Sequence, residues 1–177
     1  MKTKENTKRL VFAALMTASA VVIGMFCKSY LSFGAIRITF ENLPVILTGM
    51  LLGPIYGGAV GAAADLVTAP ITGSVNPFIT LGAASVGIVA GLLGRRMAAK
   101  GGYIPLLLMV TAAHAVGSMA IKSFGLWYFY GYPVQLCLMR IPLYIGISLA
   151  EAYLIYYIYR NRRISEAFSS RRKRNDV

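Results

Sequence analysis

The sequence predicts an all-α, polytopic membrane bundle of six transmembrane helices with both termini cytoplasmic. Three observations carry that expectation. Hydrophobic residues make up 57% of the 177 and charged residues only 14%, the mean hydropathy is +0.64, and long apolar runs without two-residue alternation fill most of the chain. A soluble domain of this length is rarely so apolar. A bilayer core about 30 Å thick takes roughly 20 apolar residues per helix. Every backbone amide in lipid must be bonded internally, which leaves helix bundles and closed barrels, and continuous apolarity selects helices.

The apolar blocks fall at about 9–27, 39–53, 55–71, 77–96, 103–124 and 134–159. The second and third are short for full spans and read as a bent or tilted pair joined at Leu52-Gly53-Pro54. Proline removes an amide donor and biases the preceding residue away from the helical region. A turn there returns Glu41 and Asp65 to the same outer face, whereas one long kinked helix would leave them on opposite faces. Residues 1–160 form a single membrane domain with a short basic arm at 1–8, and 161–177 form a basic cytoplasmic tail. The basic start and apolar run imitate a signal peptide, but LVFAALMTASAVVIGMF exceeds a usual h-region. Cys27 and Cys137 read as small packing residues rather than a disulfide or metal pair.

The net charge of +12 is concentrated. Fourteen of the eighteen Lys and Arg residues sit in three places: Lys2, Lys4, Lys8 and Arg9; Arg95, Arg96 and Lys100; and Arg160 through Arg174. With six spans those segments share one side, which the positive-inside rule makes cytoplasmic. The tail RNRRISEAFSSRRKR suits anionic headgroups better than nucleic acid.

Subtracting these charges leaves Lys28, Arg37, Lys122 and Arg140 with Glu41, Asp65 and Glu151. A charge at the bilayer centre costs about 2.5–3.5 kcal/mol on insertion scales, so these groups should face a cavity, a partner or an interface. All but Glu151 can be placed in the outer half; Glu151 lies deeper, where a structural bond to another helix is expected. His114 is midway along the fifth span, Asn76 and Gln135 open the fourth and sixth from outside, and the loop GLWYFYGYP supplies Trp127 and Tyr128. Together they suit a flat, polar, negatively charged molecule, with rings for stacking, cations for a carboxylate and an acid for an amino heterocycle. Each also has a plainer reading: aromatics form interfacial belts, Lys28 and Lys122 can snorkel to headgroups, and His114 can bond a neighbouring carbonyl.

Small residues form a second pattern. Ala14 and Ala18 make an AxxxA face on the first span, suited to close helix approach inside the bundle or with a partner. No GxxxxGK[ST], HExxH, GxSxG or CxxC pattern occurs, so the chain is expected not to be an enzyme. A transporter of this kind must then use an ion gradient, a multimer or a borrowed engine.

The run RITFENLPVILTGMLLGPIYGGAVGAAADLV, the six-span outline, the basic N-terminus before the AxxxA helix and the external loop after Cys27 resemble the substrate-binding S components of energy-coupling factor (ECF) vitamin transporters. The resemblance covers residues 8–160 and is greatest to the folate-specific members. It implies a cell-membrane protein that captures folate outside and delivers it inward with a T component and two ATPase subunits. ATP is then hydrolysed by the partners, and this chain holds no cofactor or metal. It also makes the Ala14 and Ala18 face the T-component contact. Chemistry and depth assign Asp65 first and Glu41 second to the pterin, Trp127 or Tyr128 to the benzoyl linker, and Arg37, Lys122 and Arg140 to the glutamate carboxylates. His114, Asn76 and Gln135 would supply further polar contacts. The alternatives are an S component for riboflavin, pantothenate or a queuosine precursor, and a small intramembrane enzyme using Asp65 and His114, or a scaffold.

Overall fold

The computed structural model describes residues 2–33, 36–73, 75–100 and 102–160, with the backbone alone for 2–3, 32–33, 36–37, 95 and 100. The basic tail at 161–177 lies outside the described residues. Six helices follow in chain order: α1 Lys2–Tyr30, α2 Asn42–Leu52, α3 Pro54–Ile71, α4 Pro77–Lys100, α5 Tyr103–Tyr130 and α6 Val134–Arg160. Between α1 and α2 lies a minimal antiparallel hairpin, β1 Ser32–Phe33 with β2 Ile36–Arg37, in which Ser32 faces Arg37 and Phe33 faces Ile36. Two-residue strands carry too little alternation to be distinguished from a loop by pattern.

Helices α1, α4, α5 and α6 are each long and apolar enough to cross a bilayer. Their outward faces are apolar: Val22 is 66% exposed, Ile104 68% and Leu138 57%. Such a surface is stable against lipid and not against water. This is a multi-pass membrane protein.

The break between α2 and α3 falls at the expected dipeptide. Gly53 adopts φ 100°, a region favouring glycine. Its N–H donates to Gly49 O at 2.9 Å and its carbonyl accepts from Gly57 N at 3.0 Å, so one residue ends α2 and begins α3. Pro54 occupies the first helical position of α3, where a missing N–H costs nothing. With 11 residues, α2 rises only about 16 Å. It therefore starts below the outer end of α3, and Glu41 lies level with Asp65, about 9 Å short of Ile71 along the α3 axis.

The two short helices pack on α4 through glycine. A β-carbon on Gly57 would overlap the Gly87 carbonyl, and one on Gly87 would overlap Gly57 in return. Gly49 and Gly61 meet the α4 backbone in the same way. Beneath this seam Val45, Ile46, Val60, Val86, Met109 and Ile155 form the apolar core.

The fifth span differs from its expected limits. It continues past 124 to Tyr130, so most of GLWYFYGYP is helix and Lys122 sits about two turns inside the end. The rings of Phe124 and Tyr128, four residues apart, stack at 6.0 Å, and the helix runs through the buried Gly125 to its left-handed cap at Gly131, φ 62°. Within α5, residues Ala115–Ile121 form a π segment.

One buried pair pins α5 to α6. His114 Nε2 lies 2.7 Å from Glu151 Oε2, both side chains are fully buried, and His114 Nδ1 is 3.2 Å from Ser118 Oγ. This is the inter-helix bond expected for Glu151. His114→Leu strands the Glu151 carboxyl and should cost about 3 kcal/mol, seen as a lower melting temperature in detergent. The double variant His114→Leu/Glu151→Leu should recover most of that loss; a double variant as unstable as the single would contradict the pairing.

Candidate functional site

One set of polar groups collects at the end of the bundle opposite the start of α1 and the end of α6, where α1, α2, α3, α4 and α5 meet. Glu41 precedes α2, and its N–H donates to Thr39 Oγ1 at 3.3 Å. Its carboxylate lies over Gly24 of α1, close enough that a β-carbon there would come within 2.7 Å of Oε2. Lys122 of α5 reaches the same point, with Nζ 3.7 Å from Glu41 Oε1. Its stem crosses Gly82 of α4, the space a larger residue would fill.

The π segment aims that lysine. The amide of Lys122 bonds Gly117 O, five residues back, instead of the usual four. The wider turn rotates the next residues relative to an uninterrupted α-helix, and Lys122 and Ser123, which follow it, are buried. Such segments recur at functional sites.

Asp65 faces the same space from α3, and its Oδ2 accepts from Thr80 Oγ1 of α4 at 2.6 Å. Beside it Asn42 is 1% exposed, and its Nδ2 has no hydrogen-bond partner. A buried donor left unmade is expensive, so this amide is poised for an acceptor. Ala20, Glu41, Asn42, Asp65, Thr68 and Lys122 line one cavity of about 20 Å³, the size of roughly one water. Two carboxylates, one ammonium and a free amide donor can bind a ligand carrying both hydrogen-bond donors and negative charge.

The remaining candidates separate into distinct places. Arg140 stands on α6, its Nη2 donating to Tyr144 Oη at 3.1 Å while its guanidinium lies 5.3 Å from the Tyr144 ring. Its Nη1 is buried and unpartnered. The Tyr144 ring is 5.3 Å from that of His114, so Arg140, Tyr144, His114 and Glu151 form a second polar chain beside the first. Asn76 caps α4, its Oδ1 accepting from Phe78 N at 2.9 Å, and its Nδ2 donates to Gly125 O at 3.5 Å. Trp127 and Tyr128 lie exposed on the outer turns of α5, and Gln135 is exposed at the start of α6. The Arg37 side chain lies outside the described residues. Ala14 and Ala18 face outward on α1.

Asn42, Thr68 and Thr80 join the site without having been singled out from sequence. For Asn42 the available signal is an amide directly after Glu41 at the head of an apolar run; Thr80, four residues after Asn76, has no comparable mark.

The family model "ECF transporter, substrate-specific component" matches residues 8–159. A search of curated proteins gave no match. Among solved structures, one described as the crystal structure of FolT bound with folic acid is similar at TM-score 0.71, with 21% identity over 88% of this chain and 94% of that one. The S-component for biotin from an ECF-type ABC transporter is similar at TM-score 0.68, with 19% identity over 92% and 94%. At those identities the two structures share the fold alone. The family match over nearly the whole membrane domain means that this chain belongs to the substrate-specific components of ECF transporters, transport binding proteins rather than enzymes.

Proposed function

We propose that the substrate is folate, captured from outside at the cavity of Glu41, Asn42, Asp65 and Lys122. The observation that carries this reading is the placement of two carboxylates, an unpartnered amide donor and a buried ammonium around one point. A pterin presents an amino group and ring N–H to Asp65 and a carbonyl to Asn42. Its glutamate tail carries two carboxylates, for which Lys122 and the unpartnered Nη1 of Arg140 are the available cations on two neighbouring helices. Trp127 and Tyr128 offer exposed ring faces for the benzoyl linker. The described cavity is far smaller than this ligand, so capture requires the outer ends of the lining helices to part. Biotin is the second reading, because its single carboxylate and ureido N–H groups suit the same cation and acid; it leaves one of the two cations unused.

The chain on this reading works with a T component and two ATPase subunits that hydrolyse ATP, and needs no cofactor of its own. The support for α1 as the contact helix is its exposed small-residue face at Ala14 and Ala18, which permits close backbone approach. The basic ends face the cytoplasm, and the cavity faces outward.

Titration calorimetry of the purified protein with folate, biotin, pantothenate and riboflavin tests the substrate. Folate should bind at micromolar concentration or tighter, and Asp65→Asn should weaken it at least tenfold without altering the melting temperature by more than a few degrees. Failure to bind folate in that range refutes the assignment. Ala14→Trp or Ala18→Trp should do the reverse, keeping folate affinity while abolishing co-purification with the T component; unaffected assembly would remove α1 as the contact.

A further inference from the structure

At the end of the bundle where α1 begins and α6 ends, a cleft of about 250 Å³ opens between the last turns of α4 and α6 and the first turn of α5. It is remote from the vitamin cavity and shares no residue with it. Met97, Ala98 and Leu106 line it with apolar surface, and Tyr156, Tyr159 and Arg160 bring phenols and a cation. The rim is held in place: Arg160 Nη1 donates to Tyr156 Oη at 3.3 Å. The Tyr156 ring packs edge-on against Tyr103 at 6.1 Å, and the Tyr103 hydroxyl donates to Leu149 O at 3.1 Å. Gly102 lines the cleft where α5 begins, and no side chain caps that helix.

Depth and charge both constrain the occupant. Leu106 lies about one turn in from the start of α5, so the cleft runs from the headgroup level a short way into the hydrocarbon. In sequence, Arg95, Arg96 and Lys100 fall in the last turns of α4, Arg160 ends α6 and Arg162 and Arg163 follow it, with no acid in 95–103 or 156–163. No acid in these flanks neutralises Arg160, whose guanidinium bonds only the neutral Tyr156 hydroxyl among the described contacts. A lipid phosphate neutralises the guanidinium while leaving it at the interface, where arginine stems extend naturally.

We propose that this cleft binds one anionic phospholipid, its phosphate against Arg160 beside the first turn of α5 and an acyl chain over Met97, Ala98 and Leu106. The uncapped amides of that first turn add a weaker attraction for the same phosphate. The lipid ties the ends of three helices to the headgroup layer.

The test uses the full chain in nanodiscs of phosphatidylcholine with a minor fraction of phosphatidylglycerol, with native mass spectrometry of the released protein counting retained lipids. One phosphatidylglycerol should stay bound in preference to phosphatidylcholine. Arg160→Gln should weaken its retention about fivefold. Ala98→Phe, which fills the cleft, should abolish retention, whereas Arg96→Gln removes the same charge outside the lining and should leave it intact. Circular dichroism of each variant checks that the helices persist; Arg160 is exposed, so its variant remains informative if Ala98→Phe does not fold. Equal retention of phosphatidylcholine would mean non-specific filling. Equal loss in Arg96→Gln would mean diffuse attraction. Either result overturns the site.

Discussion

The close approach of α2, α3 and α4 is the constraint on which the rest of the structure depends. Gly57 and Gly87 meet with no room for a β-carbon on either, and Gly49 and Gly61 extend the contact. Lipid supplies no hydrophobic force between helices, so association relies on van der Waals contact, and small residues bring backbones nearest. That contact holds an 11-residue helix too short to span the bilayer alone. Because α2 is short and fixed at its inner end by the Gly53-Pro54 turn, its outer end stops at the depth of Asp65. Glu41 and Asn42 are thereby delivered to the cavity instead of to the headgroups.

The same thinness continues into the electrostatics. Gly24 leaves space for the Glu41 carboxylate, and Gly82 leaves space for the Lys122 stem. The ion pair therefore occupies volume that side chains on α1 and α4 do not use. The π segment adds rotation, turning Lys122 and Ser123 into the bundle just after His114 has been fixed to Glu151. Polar groups on α5 thus serve two ends: His114 secures α6, and about two turns later Lys122 faces Glu41. Arg140 and Tyr144 stand beside the first of these links and carry the unpaired Nη1.

Much of this was legible in the residues. Apolar block lengths located the six helices, Gly53-Pro54 located the turn, and the residual charges pointed to Glu41, Asp65 and Lys122, which do line one cavity. The extent of α5 was not, because aromatic residues suit both an interfacial loop and a helix, and only the register of Phe124 on Tyr128 distinguishes them. The π segment leaves no mark in composition. Asn76 was expected to supply a polar contact to the ligand, yet an asparagine before Pro77 also suits a helix cap, and in the folded chain its Oδ1 accepts from Phe78 N. Asn42 lay next to a charged residue that drew attention first, although its unpartnered amide is the more unusual feature.

The central claim is that the cluster of Glu41, Asn42, Asp65 and Lys122 takes a donor-rich heterocycle bearing carboxylates. Mass spectrometry of small molecules that co-purify with the detergent-extracted protein tests it without presuming the ligand. The account predicts a folate in near-stoichiometric amount. Recovery of riboflavin, pantothenate or biotin in its place would contradict it.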